Sequence, residues 1–467
     1  MKRTKKLGLM LGVLALLCVM TFAISMVKEK KENIAISGET ILSIPTETVK
    51  AFTWTEKEDT LAFHRTESGW AYDEDENFPA STEKVEALLE PFEAFGAGFT
   101  IEEVEDPGLY GLAEPTAQLT IETEEQTYEI LMGDYSQMDQ QRYVSIGDGK
   151  VYLAAHDPCD DFSGKTLRDL IQNDEVPDFH DTAKTIRFTG AETYELTRRD
   201  RSASYRPEDL WYTERDGEEL ALNPAMVDDY LSQLNSGMLY NYTDYYAEGD
   251  DLAAYGLREP ELTVEVVYGT EEERTFTLHI GLDPEQAAQQ ADMTEEEREN
   301  ADPIAAYAQI EGSHIVYRLD STTYEQLARY KVDDLRHKEV IPADVDAVKS
   351  LDVTLDGSNC QLTAKQKDEE QVWYREGEEL TASALTEALS GLRVERFTDE
   401  QPGDNKLEIS FTAVLDLTGA PKVKVELYRY DGMYCLAVVD GKPLGLVLRS
   451  DTVDLVEAVN RILLDQK

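Results

Sequence analysis

Hydrophobic and polar positions first alternate along the chain and then change period. Val49-Lys50-Ala51-Phe52-Thr53-Trp54 places apolar side chains on one side with period 2, the mark of a half-buried strand. Thr60–Arg65 and Gly69–Tyr72 follow with turn residues between them, as in a meander. The period then becomes helical. Val85, Leu88, Leu89, Phe92 and Phe95 form one stripe behind Ser81, which can cap the helix, and Pro91 should kink or end it early. Strands return at Ala117–Thr123, Thr127–Met132, Arg142–Ile146 and Val151–Ala154, with Gly133-Asp134 and Gly147-Asp148-Gly149 read as turns. A short helix near Phe162–Gln172 closes the unit.

The same order then returns. Tyr110-Gly111-Leu112-Ala113-Glu114-Pro115 reappears 145 residues later as Tyr255-Gly256-Leu257-Arg258-Glu259-Pro260, identical at five of six positions. Strands at Thr185–Phe188 and Thr193–Leu196 precede it, and Asn223-Pro224 opens a helix with Val227, Tyr230, Leu231 and Leu234 on its buried stripe. A third, more diverged pass runs from Val348 to a closing helix at Val453–Leu464; there Asp399–Asp404 stands where the Tyr-Gly-Leu element is expected. Trp70, Trp211 and Trp373 fall at matching places and read as core anchors, one per copy. Gly111 and Gly256 supply a backbone angle that side-chained residues resist, and Pro115 and Pro260 stand at the start of the next strand. Tyr110, Leu112, Tyr255 and Leu257 pack under that turn. A ligand-binding role for Tyr110 and Tyr255 is the rival reading.

The expected fold is α+β: tandem modules of antiparallel meander plus helix behind one N-terminal transmembrane helix. The boundaries read as a basic tail at 1–6, a signal anchor at 7–27, a stalk at 28–45, and modules at 46–176, 177–340 and 341–467. An acidic insertion occupies 283–302 of the second module. Leu7–Val27 is an uncharged run of 21 residues, about the length that spans a bilayer as a helix. The basic residues before it should stay inside, so the bulk of the chain is expected outside the cell membrane. A cleaved signal, with Ala23-Ile24-Ser25 as the cleavage site, is the alternative; its apolar region is usually shorter.

Charge narrows the partners. The chain holds 44 Lys and Arg against 95 Asp and Glu, net −51, which disfavours nucleic acid and anionic lipid surfaces. The four cysteines show no CxxC spacing, so neither a disulfide framework nor a zinc site is expected.

Catalytic patterns are incomplete. None of the six histidines has HExxH spacing; His64, His279 and His314 fall in strand runs. Ser81-Thr82-Glu83-Lys84 fits S-x-x-K but lacks the downstream S-D-N and K-T-G, so Ser81 is read as a cap. Gly164-Lys165-Thr166 resembles the end of a phosphate loop, but Cys159 stands in place of its first Gly. Acidic clusters at Asp73–Asn77, at Asp157, Asp160 and Asp161, and at Glu248, Asp250 and Asp251 read as solvated loops, with a weak divalent-cation site as the alternative.

Motif order also carries a resemblance. Tyr110-Gly111-Leu112…Pro115, Ile130-Leu131-Met132-Gly133-Asp134, Tyr143-Val144 and Val151-Tyr152-Leu153 resemble the bacterial domain-of-unknown-function family 4340. The second copy carries Ile280-Gly281-Leu282-Asp283 and Val316-Tyr317-Arg318-Leu319. The resemblance implies a membrane-anchored extracytoplasmic protein, distantly similar to the Gld-type auxiliary component of gliding-motility ABC transporters. It implies no catalytic residues. The expected function is therefore a non-catalytic accessory, binding or scaffolding subunit of an envelope complex, associated with an ABC transporter. It needs no cofactor and has a protein partner. The alternatives are an envelope hydrolase with an unrecognised acidic site and a protein that binds cations or cell-wall polymer.

Overall fold

The structure is a computed structural model and describes residues 38–235, 239–328, 330–367 and 370–464. The tail, the anchor run and most of the segment read as a stalk lie outside the described residues. Among the described residues no helix is long and apolar enough to cross a membrane.

The first module contains strands β1 (Glu39–Leu42), β2 (Val49–Glu56), β3 (Asp59–Thr66) and β4 (Gly69–Tyr72), helix α1 (Thr82–Leu89), then β5 (Phe95–Ile101), β6 (Ala117–Thr123), β7 (Thr127–Ser136), β8 (Gln141–Ser145) and β9 (Val151–Ala154). Two one-turn helices follow, α2 (Pro158–Phe162) and α3 (Leu167–Leu170). The second has β10 (Ala183–Thr189), β11 (Thr193–Arg198), β12 (Trp211–Arg215), β13 (Glu218–Ala221), α4 (Pro224–Asn235), β14 (Tyr242–Asp244), β15 (Leu262–Tyr268) and β16 (Arg274–Leu282). It continues with α5 (Pro284–Ala291), α6 (Glu295–Glu299), β17 (Ala306–Ile310), β18 (Val316–Leu319) and α7 (Ser321–Ala328). The third has β19 (Val348–Leu355), β20 (Ser358–Lys367), β21 (Glu370–Arg375), β22 (Glu378–Glu379), α8 (Ser383–Gly391), β23 (Val394–Phe397), β24 (Leu407–Leu415), β25 (Lys422–Arg429), β26 (Tyr434–Val439), β27 (Lys442–Leu448) and α9 (Arg449–Leu464).

Each module is one antiparallel sheet of nine strands. Sheet two runs β13-β12-β11-β10-β15-β16-β17-β18-β14 and sheet three runs β22-β21-β20-β19-β24-β25-β26-β27-β23. Sheet one, read as β4-β3-β2-β6-β7-β8-β9-β5-β1, has the same path: a meander, a helix, a strand sent to the far edge, then a second meander that closes on the first. It lacks the short fourth strand of the other two and gains β1 at the far edge. Ladder registers match as well: Trp54↔Leu119, Phe188↔Val264 and Val353↔Phe411 join the two meanders. The third copy, diverged in sequence, is thus the same sheet.

Alternation explains the layers. On β2 and β6, Val49, Phe52, Trp54, Ala117, Leu119 and Ile121 are buried, and on α1 the stripe Val85, Leu88 and Leu89 is buried. Opposite faces stay polar, as antiparallel sheets allow: Gln118 donates to Glu129 at 2.8 Å in sheet one, and Arg187 bridges Glu195 and Glu265 at 2.6 and 3.0 Å in sheet two. Asp216-Gly217, Asp356-Gly357, Glu376-Gly377 and Asp440-Gly441 take positive φ at both positions, the type I′ turn that matches strand twist.

Three details correct the sequence reading. Residues 39–42 are not stalk: β1 pairs with β5, Glu39 opposite Ala97. The expected helix at Phe162–Gln172 is two single turns, because Ser163-Gly164 breaks it and Gly164 takes φ +74. Gly133-Asp134 is no turn; both residues lie inside β7.

By internal contacts the described chain forms two compact units. One takes the residues up to Glu175 with Leu239–Glu248 and Ser313–Tyr317; the other takes the rest.

The three tryptophans are buried, Trp70 at 5%, Trp211 at 4% and Trp373 at 1% exposure. The indole N–H groups of Trp70 and Trp373 have no acceptor. Trp373→Phe therefore removes an unpaired buried donor along with some ring volume. The expected cost is under about 1.5 kcal/mol by chemical denaturation, against roughly 3–5 kcal/mol for Trp373→Ala.

Candidate functional site

The repeated Tyr-Gly-Leu element is a piece of architecture. Gly111 and Gly256 take φ +70 and +67 and end single 3₁₀ turns. Each turn presses its backbone onto a strand glycine: a Cβ on Gly133 would lie 2.1 Å from the Tyr110 carbonyl oxygen, and one on Gly281 would lie 2.6 Å from that of Gly256. This contact explains why each Tyr-Gly-Leu turn is paired with a strand glycine, Gly133 after Met132 and Gly281 after Ile280. Leu112 and Leu257 are buried beneath the turn. Tyr110 and Tyr255 are half-buried and lie beside Tyr143 and Tyr307, ring centres 5.1 Å apart in each case. Pro115 and Pro260 stand two residues before β6 and β15. In the third sheet Tyr428 takes the ladder place of the glycine, opposite Leu407, so no such turn could seat there. Each site residue named from sequence therefore serves the packing of its own module.

The other sequence candidates find local partners. Ser81 is buried at 3% exposure; its oxygen caps α1 at the Lys84 N–H, while Lys84 Nζ donates to the Ile171 carbonyl at 2.8 Å. Ser81→Ala should lower unfolding free energy by about 1 kcal/mol, readable as a shifted denaturant midpoint. Thr166 donates through N–H and hydroxyl to Asp169 at 2.8 and 2.9 Å, opening α3 rather than a phosphate loop. Asp75 accepts from Tyr245 at 2.7 Å, Asp157 takes Arg142 at 2.8 and 2.9 Å, and Asp250 takes Arg258 at 2.7 Å. Among the described residues no group of three His, Cys, Asp or Glu is placed to hold a metal. His64 and His279 lie in strands; His314 precedes β18.

The convergent polar groups lie elsewhere, where the second and third modules meet within the second unit. Twelve residues, 199–210, connect β11 to β12, where β3 and β4 are joined by two. This loop is tied internally: Ser202 Oγ donates to the Arg206 carbonyl at 2.5 Å, Ser204 Oγ to Asp209 Oδ2 at 2.6 Å and Tyr212 OH to the Asp209 carbonyl at 2.9 Å. It carries Arg206 and Asp209, exposed 7% and 2%, to the segment 336–344. His337 donates through Nε2 to Asp209 Oδ1 at 2.8 Å, with Nδ1 3.6 Å from Glu339. Arg206 Nη1 donates to Asp344 at 2.6 Å, and Arg393 Nη1 to Glu339 at 2.6 Å.

Burial pushes the His337 imidazole down, but the hydrogen bonds with Asp209 and Glu339 outweigh it, so its pKa is raised to about 9. Glu339 is lowered to about 2, first by its bond to His337, against burial, with the charges of Arg393 and Arg206 adding. At neutral pH the group is an imidazolium between carboxylates. It holds no free base, and the Ser204 hydroxyl bonds the carboxylate, not the ring, so this is an ionic clasp and not a nucleophile–base pair.

Beside the clasp is a cavity of about 340 Å³. Loop residue Tyr205, Leu220 and Ala221 of β13, Val340 and Pro342 of the connecting segment, and Leu444 of β27 give it apolar walls. Arg336 lines it together with a second cavity of about 420 Å³ that runs past Arg215, Asp399 and Lys442. The sequence signal for this place was the long loop between β11 and β12, which the regular meander does not need. The pairing of Asp209 with His337, 128 residues apart, left no local trace.

A family model described as a domain of unknown function (DUF4340) matches residues 70–260 and 237–408. No curated protein and no solved structure matches the chain.

Proposed function

Because the chain belongs to the DUF4340 family, we propose that it is a non-catalytic binding and scaffolding subunit of a bacterial envelope complex. In this reading the apolar run 7–27 holds it to the membrane and its three modules face outward. The observation that carries the reading is the threefold use of one sheet. Repeating a module multiplies surface, whereas an active site needs one converged constellation. The clasp supports the same view, since its titratable groups neutralise one another. The resemblance of the motif order to Gld-type auxiliary components motivates an ABC transporter as the proposed partner.

Affinity capture after crosslinking in intact membranes tests this. The expected result is co-recovery of transporter subunits in fixed ratio from the membrane fraction. Recovery of the chain alone, or from the soluble fraction only, would overturn it.

A further inference from the structure

Arg336 stands on the wall shared by the two joint cavities. Its side chain is 13% exposed, and its guanidinium carbon lies 3.6 Å from the Phe397 ring centre. Nη1 donates to Asp333 Oδ1 at 3.0 Å, but Arg215 donates to that same oxygen at 2.9 Å. Two guanidinium groups thus share one carboxylate oxygen. Among the described residues, Arg336 Nε and Nη2 have no acceptor. A guanidinium fork stacked on an aromatic ring, with two donors that no protein acceptor takes, suits a planar carboxylate. The adjoining cavity, about 340 Å³, is at the small end for ligand sites.

We propose that this joint binds a small amphipathic monocarboxylate. Its carboxylate takes Nε and Nη2 of Arg336, and its apolar body, one ring or a short acyl chain, lies against Tyr205, Leu220, Val340, Pro342 and Leu444. The site deepens the binding role above by naming a ligand class and rests on that reading. Its test needs no partner, so its failure leaves the capture experiment to stand or fall alone.

The test is calorimetry on the purified full-length chain in lipid nanodiscs, with empty nanodiscs as blank. The probes are 3-phenylpropionate, 3-phenylpropan-1-ol and 3-phenylpropylammonium. Saturable binding of the acid is expected, with the alcohol weaker by about tenfold or more and the amine silent. Arg336→Gln should weaken the acid by roughly tenfold, with partial recovery in Arg336→Lys. Leu444→Trp, which fills the cavity, should abolish binding while the chain still melts cooperatively; it decides the matter if Arg336→Gln does not fold. Absence of saturable acid binding, equal affinity for acid and alcohol, or full binding by Leu444→Trp would overturn the proposal.

Discussion

Gly256→Ala should lower the melting temperature of the second module by roughly 6–12 °C. Two costs add. The φ of +67 puts a side-chained residue in the left-handed region, worth about 1–2 kcal/mol. The new Cβ would also lie 2.2 Å from the Leu282 carbonyl oxygen. Backbone cannot yield as a side chain does, so overpacking adds about 1–3 kcal/mol. About 3 kcal/mol in a module of this size corresponds to the stated shift. Gly217→Ala is the control: its φ is +78 but a Cβ there meets nothing within 4 Å. It should cost only the backbone strain, at its lower end of about 1 kcal/mol, or roughly 2–4 °C. Calorimetric scans of the two variants separate the terms. Equal losses would show that the turn-on-strand contact does not constrain the fold.

The clasp should make the second unit weaken as pH rises above neutrality. His337 has its folded pKa raised to about 9 from 6.5. Its contribution is therefore complete below about pH 6.5 and lost as pH climbs through 9, on the order of 3 kcal/mol. Glu339 works in the opposite sense: lowered from 4.5 to about 2, it contributes above pH 4.5 and its share disappears as pH falls through 2. The two shifts describe one coupled pair and are not to be summed. Denaturant midpoints of wild type and His337→Gln, compared from pH 5 to pH 10, should differ most near pH 5–6 and converge toward pH 9–10. A gap that widens with pH would reverse the assignment of charge. Asp209→Ala, which leaves an imidazolium facing a buried empty place, should cost roughly 3–5 kcal/mol at pH 6.

Much of the fold was legible because period and turn chemistry are local. The stripe at Val85, Leu88 and Leu89, the Gly147-Asp148-Gly149 turn and the strands around Phe52 and Trp54 follow from nearest neighbours along the chain. Gly133 was misread for the same reason: a glycine in isolation suggests a turn, and only the chain crossing above it, at Tyr110, shows that the missing side chain makes room. The third module was legible only as a diverged copy, because Tyr428 stands where the strand glycine would be and the marker turn is lost while ladder and register stay intact. The joint was illegible because Asp209, His337 and Glu339 meet through tertiary placement of a loop and a linker, with no spacing rule to join them. Burial around Arg336 likewise arises only when β13, β27 and Phe397 are brought together.

In the proposed function, three copies of one module serve binding and not turnover. The mass of the affinity-purified particle, released from crosslinked membranes and measured by mass photometry, tests it most directly. One defined species is expected, heavier than the single chain by a fixed set of transporter subunits. A particle of single-chain mass, carrying a hydrolytic activity that disappears with one acidic substitution, would contradict it.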